Sequence, residues 1–249
     1  MVQAAMTRPE IDIIIPCFNQ PEMTAACLGS IQKSLGETSA GFVRTILIDN
    51  GSSEASVDVY RAGLDPLHHV YLRMPENLGF VKATNAGIAV STAPFVLFLN
   101  NDTELPRGWV DAFSEVLAKE PEVGIVGPLS SSKHQWQGQV KAFKGWRILG
   151  KHNMLSFFCA LLRRSVIEKC GYLSEEYRAG LGDDDDYCAA AHKAEFRLAL
   201  RGDITVVHHH RTTFRDVYGE GGWVAMQEQN IDHFYEKWKP QHAPLRRRH

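Results

Sequence analysis

Cysteine is scarce in this chain and never clustered. The five thiols, at positions 17, 27, 159, 170 and 188, are odd in number and scattered, and no Cys-x-x-Cys pair occurs. That pattern excludes a disulfide framework and reads as reduced, buried thiols. Long apolar runs are missing too: nowhere do 18 apolar residues follow one another, so no membrane-spanning helix is expected. The opening MVQAAMTRPE lacks the apolar centre of a signal peptide. A basic excess is absent: 27 Lys and Arg stand against 29 Asp and Glu, which argues against a general nucleic-acid binder. No internal repeat or low-complexity linker divides the chain. One domain over residues 1–249, placed in the cytoplasm, is the simplest reading. The basic ending LRRRH is either a solvated tail or a point of peripheral contact with an anionic membrane.

What is present is a rhythm. With 249 residues and 44% hydrophobic content the chain can bury a large core. Strands are expected at IDIIIP (11–16), RTILID (44–49), HVYLRM (69–74), FVLFLN (95–100) and VGIVGP (123–128). Helices fall between them: one from Pro21 with Met23, Cys27, Ile31 and Leu35 on one face, a short one around Val57 and Tyr60, one over 80–90, and one opened by Pro106. Strand–helix alternation at this spacing predicts an α/β fold with a mostly parallel central sheet flanked by helices. Residues 129–153 break the rhythm, polar and basic, as either a functional or mobile segment or a surface hairpin. A strand and helix are expected within 157–173, a helix over 183–196, a last strand over 204–210 and an amphipathic helix over 229–238.

Ligands in parallel sheets bind beyond the carboxyl ends of the strands. Asn19, Asp49, Asn77 and Asp102 all follow strands in this reading, so polar groups converge on one edge. Each also has a plainer role: Asp49 and Asp102 suit turns, and Lys82 suits a solvated surface. Four consecutive aspartates, 183–186, open a helix. Carboxylates there are favoured by the helix dipole, but four in a row repel one another, and such a cluster is a common mark of a functional site.

The set IIIPCFN (13–19), LIDNGSS (47–53), NLGFVKATNAGI (77–88), LNNDTEL (99–105), GIVGP (124–128), DDDDYC (183–188) and VVHHH (206–210) resembles an inverting family-two glycosyltransferase of GT-A (Rossmann-like) fold, most of all the rhamnosyltransferase-like and galactofuranosyltransferase-like enzymes. The resemblance runs from about residue 11 to residue 238, with a nucleotide-binding half over about 11–128 and an acceptor half over about 129–249. It implies a UDP- or dTDP-sugar donor, an acceptor that is a glycan, a lipid-linked or a small molecule, Mn²⁺ or Mg²⁺, transfer with inversion, and a place in cell-wall or polysaccharide biosynthesis. Three positions depart from the family pattern: Asn100 opens the usual Asp-x-Asp, Ser174 replaces an Asp, and Glu-Asp-x-Asp becomes Asp183 to Asp186.

By that resemblance Asp102 and His208 are the metal ligands, with His210 the alternative within the triple histidine. Asp184 is the general base and Asp183 takes the neighbouring Glu position. Asp49 accepts the N–H of a uracil or thymine ring, with Pro16 and Asn19 lining the same pocket. Asn77, Asn85 and Asn101 are assigned to the nucleotide-sugar, and Lys82 either to ribose and diphosphate or to solvent. Two rival readings remain: a nucleotidyltransferase of related fold, against which the loop PCFNQPE speaks by lacking glycine and arginine, and an inactive carbohydrate- or nucleotide-binding protein.

Overall fold

Strand β1 (Ile11–Cys17) has no polar face because both of its sides are covered, and all seven residues are buried. The structure is a computed structural model and describes residues 10–35, 42–177, 181–209 and 213–238. After β1 come α1 (Pro21–Ser34), β2 (Val43–Asp49), α2 (Glu54–Leu64), β3 (His69–Arg73), α3 (Phe80–Val90), β4 (Phe95–Leu99), β5 (Thr103–Glu104), α4 (Trp109–Lys119) and β6 (Val123–Ser130). The second half adds α5 (Trp136–Gln139), β7 (Trp146–Ile148), β8 (Cys159–Arg163), α6 (Arg164–Cys170), α7 (Asp183–Lys193), β9 (Arg197–His208) and α8 (Thr213–Trp238).

The strands form one sheet in the order β3-β2-β1-β4-β8-β6-β9-β5, with β7 paired to β9. β1, β2, β3 and β4 are mutually parallel, β8 runs against β4 and β6, and β9 is parallel to β6. Six strands therefore point one way, and β5, β7 and β8 the other. The order reverses between β1 and β4, the switch point at which open α/β sheets bind ligands. Two cores flank the sheet. Leu28, Tyr60, Trp109 and Phe113 pack on one face from α1, α2 and α4. Val81, Ile88, Tyr187, Cys188 and Phe234 pack on the other from α3, α7 and α8.

Several boundaries differ from those expected. Pro106 does not open α4: the helix starts at Trp109 after Gly108, whose φ of 81° makes a left-handed cap. Arg197–Asp203, polar on paper, is the first half of β9, because Arg201 is buried between Asp203 and Glu115. The expected strand 204–210 thus begins seven residues earlier and ends at His208. His210 lies outside the described residues. The segment 129–153 is ordered, with β7 bonded along β9. The buried face of α1 carries Thr24, Ser30 and Ser34 beside Cys27 and Ile31, while Met23 is only half-buried.

One buried charge holds the amino end of the sheet. Asp12 is 1% exposed and takes a two-pronged contact from Arg44, at 2.8 Å through both Nε and Nη2. The Ser91 hydroxyl and the amides of Thr92 and Ala93 donate to it as well. Burial alone would raise its pKa; the Arg44 guanidinium and these donors more than offset that and hold it below 3.8. Its stabilising contribution is therefore present at neutral pH and is lost as pH falls through the lowered value. Asp12→Ala is expected to cost about 2–4 kcal/mol at pH 7, read by urea unfolding, because it strands a guanidinium and two amides. The gap to wild type should close in acid. A gap that persists below the carboxylate range would show that packing, not charge, is lost.

Candidate active site

The carboxyl edge of the six codirectional strands collects the polar residues. After β1, Asn19 adopts a left-handed φ of 52°. Its N–H donates to Ser52 Oγ at 2.8 Å and its Oδ1 accepts from Ser53 N–H at 3.0 Å. Tyr60 OH donates to the Asn19 carbonyl at 2.5 Å. Pro16 is buried in β1 beside Ile48 of β2. At the end of β2, Asp49 is fully buried: Ser52 N–H donates to Oδ1 at 2.8 Å, and Tyr71 OH to Oδ2 at 2.7 Å, with Arg73 Nε 3.5 Å away. Its carboxylate is thus already partnered, an arrangement that sequence spacing did not foretell.

Asn50 and Gly51 close the next gap. Asn50 Nδ2 donates to Asn77 Oδ1 at 2.8 Å and to the Gly79 carbonyl, and its Oδ1 accepts from Leu78 N–H at 2.9 Å. Gly51, at φ 82°, lies so close to the chain that an added Cβ would sit 2.6 Å from the Glu76 carbonyl carbon. The loops after β1, β2 and β3 are thereby bound into one unit. Asn77 is exposed within it, and Lys82 is exposed on the first turn of α3.

The turn after β4 carries the predicted metal ligand, and the fold brings its partner to it. Thr103 pairs with His208 between β5 and β9, and the His209 N–H donates to the Asp102 carbonyl at 3.0 Å. His208 Nε2 lies 3.2 Å from Asp102 Oδ1. Its other nitrogen, Nδ1, lies 3.1 Å from Gln135 Oε1, a contact that requires the proton on Nδ1, so that the neutral ring presents its lone pair at Nε2. The Phe158 ring stacks on the imidazole at 4.9 Å and 10°. A lone pair and a carboxylate oxygen facing each other form a pair that a cation satisfies, and the Gln135 contact is the kind that orients a ligating histidine. Among the described residues, neighbouring Asn100 Oδ1 is buried without a hydrogen-bond partner. Among the described residues no group of three or more His, Cys, Asp or Glu side chains converges, so an ion held here would need further oxygens from a ligand. Asn101 turns away to donate to Thr24 Oγ1 at 2.9 Å.

Asp183 to Asp186 form the first turn of α7 and have different surroundings. Asp186 is buried and accepts from Tyr177 OH at 3.0 Å, Trp238 Nε1 at 2.8 Å and Lys237 Nζ at 3.1 Å. Asn230 Nδ2 donates to the Leu181 carbonyl at 2.8 Å, and His233 meets Glu176 at 3.1 Å. The second half of α8 is thus fastened on both sides of the acidic turn. Asp184 is half-buried, and its Oδ1 accepts from Asp185 N–H at 2.8 Å. Asn85 exchanges hydrogen bonds with both backbone groups of Leu173, at 3.0 Å each. It therefore clamps the 171–175 loop to α3.

Asp183 is 3% exposed; burial first, then the charges of Asp185 and Asp186, push its pKa up to about 7. Between 3.8 and about 7 the folded protein keeps a proton that the unfolded chain has lost, so stability falls as pH rises across that window. Asp183→Asn should accordingly raise Tm at pH above 7, with the gain shrinking as pH falls toward 4, in a thermal melt series. A lower Tm above neutral pH would mean that the charge is stabilised in the fold.

The model of glycosyl transferase family 2 matches residues 12–171. The chain belongs to that family. An N-acetylglucosaminyltransferase of Bradyrhizobium elkanii is 33% identical over 142 residues, 52% of this chain and 71% of the relative. The chain spans about half the length, or less, of other curated relatives, 28% to 57%. Among solved structures, the mannosyltransferase PcManGT of Pyrobaculum calidifontis, in complex with GDP-Man and Mn²⁺, superposes with a TM-score of 0.71 at 16% identity, over 95% of this chain and 66% of that one. S. aureus TarS in complex with UDP-GlcNAc gives 0.69 at 14%, over 95% and 74%. At such identities the likeness is one of fold: this glycosyltransferase-family chain has the GT-A architecture. Gln135, Asn50, Tyr71 and Arg73 are the site residues that sequence reading missed. Each meets its partner across at least 20 residues of chain, and no local pattern marks such a meeting.

Proposed function

We propose that this protein transfers a sugar from a UDP- or dTDP-linked donor to an acceptor hydroxyl with inversion, in a divalent-metal-dependent reaction. The observation that carries the reading is the meeting of Asp102 and His208 at the carboxyl edge, beside the interlocked loops after β1, β2 and β3. The donor class follows the motif resemblance to rhamnosyl- and galactofuranosyltransferases. The nucleobase enters against Asn19, Pro16 and Asp49, where an imide N–H shares the Asp49 carboxylate with Tyr71 and Arg73. Asn77 and Lys82 face the ribose and diphosphate, Asn101 acts from the second rank through its bond to Thr24, and Asn85 acts through the loop that it clamps. Asp102 and His208 would hold Mn²⁺ or Mg²⁺, which when bound neutralises charge on the departing diphosphate.

The acceptor oxygen forms its bond to the anomeric carbon as the bond to the diphosphate breaks on the opposite face. Asp184 takes the hydroxyl proton. One carboxylate is enough, because no covalent sugar–enzyme intermediate is formed. The test is a thermal-shift screen of UDP- and dTDP-sugars with and without Mn²⁺, followed by donor hydrolysis. A metal-dependent rise in Tm with slow hydrolysis supports transfer. Stabilisation only by a nucleoside triphosphate with a sugar phosphate would instead indicate nucleotidyl transfer, and binding without turnover an inactive relative.

A further inference from the structure

The segment 129–153 is more strongly one-signed than its length suggests. It holds Lys133, Lys141, Lys144, Arg147 and Lys151, with His134 and His152, and no Asp or Glu. The rest of the chain carries 22 Lys and Arg against 29 Asp and Glu. All five cations are exposed. None pairs with a carboxylate among the described residues, in contrast to Arg44, Arg73, Lys119, Arg201 and Lys237.

The segment is held firmly at this edge of the sheet. β7 lies antiparallel on β9, and Phe143 N–H donates to the Gly202 carbonyl at 3.0 Å. Trp146 Nε1 donates to Glu120 at 3.1 Å, and Arg147 stacks on Phe143 at 4.0 Å. Lys141 and Lys144 flank Phe143, and Lys151 follows the edge strand. The same segment supplies Gln135 to His208.

We propose that this edge is a docking surface for an anionic phospholipid membrane. Three of the five cations, Lys141, Lys144 and Lys151, are lysines spread along the edge, while Lys133 donates to the Gly138 carbonyl and the single arginine is engaged on a ring. Diffuse point charges suit a sheet of headgroups, whereas one phosphate group calls for a converging fork. Half-buried Phe143 and Trp136 pack on one core and Trp146 on the other, so the contact rests on the lysines rather than on inserted aromatic rings. The acidic remainder is repelled by the same surface, so the charge asymmetry also sets the orientation. Among the described residues no helix is long and apolar enough to cross a bilayer, so contact through them is peripheral. This docking does not depend on the proposed reaction.

The test is co-sedimentation of the full chain with phosphatidylcholine vesicles and with vesicles that also contain phosphatidylserine, at low and high ionic strength. Binding is expected only with phosphatidylserine and should be lost in high salt. Lys141→Gln, Lys144→Gln and Lys151→Gln together should weaken it about 10–100-fold, with an unchanged circular dichroism spectrum. A control removing equal charge elsewhere, Lys33→Gln, Arg107→Gln and Lys169→Gln, should bind as wild type. No binding to either vesicle overturns the proposal, as does an equal loss in the control. So does a loss confined to Arg246→Gln, Arg247→Gln and Arg248→Gln, which would assign the contact to the tail. Capture of soluble polyphosphate with indifference to vesicles would point to a different partner and also overturn it.

Discussion

Asp184→Asn is expected to lower kcat by about 10²–10⁴ while leaving nucleotide-sugar affinity nearly unchanged. The reasoning is by role and surroundings. Asp186 is committed to Tyr177, Lys237 and Trp238, so its loss should loosen α8 and lower stability. Asp185 and Asp184 are half-buried, and successive residues of a helix point about 100° apart. Asp183, buried and raised to about 7, is only partly ionised at neutral pH. Asp184 combines access with its place in the family motif. Asp185→Asn should be close to silent. The measurement is kcat for the four asparagine variants beside donor Kd and Tm. Normal turnover by Asp184→Asn with loss in Asp183→Asn would move the base by one residue. Turnover that survives every single substitution would reduce the acidic run to a helix terminus.

Asp102→Asn carries the second large effect. The replacement keeps the shape of the side chain and the backbone bond from His209, so the fold should survive. What is lost is the charged oxygen 3.2 Å from His208 Nε2. Turnover at limiting Mn²⁺ should fall by roughly 100-fold or more, since charge stabilisation on a departing diphosphate is worth several kcal/mol. His208→Ala should be milder. Gln135→Ala, which touches the other imidazole nitrogen, should weaken Mn²⁺ binding about 10–100-fold without removing a ligand. Calorimetric Mn²⁺ titration in the presence of UDP reads all three. Near-normal activity of Asp102→Asn at low Mn²⁺ would place the metal elsewhere.

Much of the first half of the chain was legible because each signal is local. Ile-rich runs marked β1 and β2, and the span 80–90 is α3 as predicted. The second half hid more, since its structure depends on distant partners. β8 inserts antiparallel between β4 and β6, and nothing in CALLR states its direction. Arg201 reads as surface until Glu115 and Asp203 neutralise it. In the site, His208 is buried and its neighbour His209 exposed, as alternation along a strand requires, but the partners of Asp49 and Asn85 could be found only in space.

The fastening of α8 has a consequence for how the site breathes. The last turn of a helix normally opens and closes freely at little cost. Here Lys237 and Trp238 hold Asp186, some 52 residues earlier, so each such opening is transmitted to the acidic first turn of α7. Amide exchange in the first turn of α7 should therefore keep pace with that at the end of α8. A ligand that quiets one should quiet the other, making a distant helix terminus a gauge of occupancy.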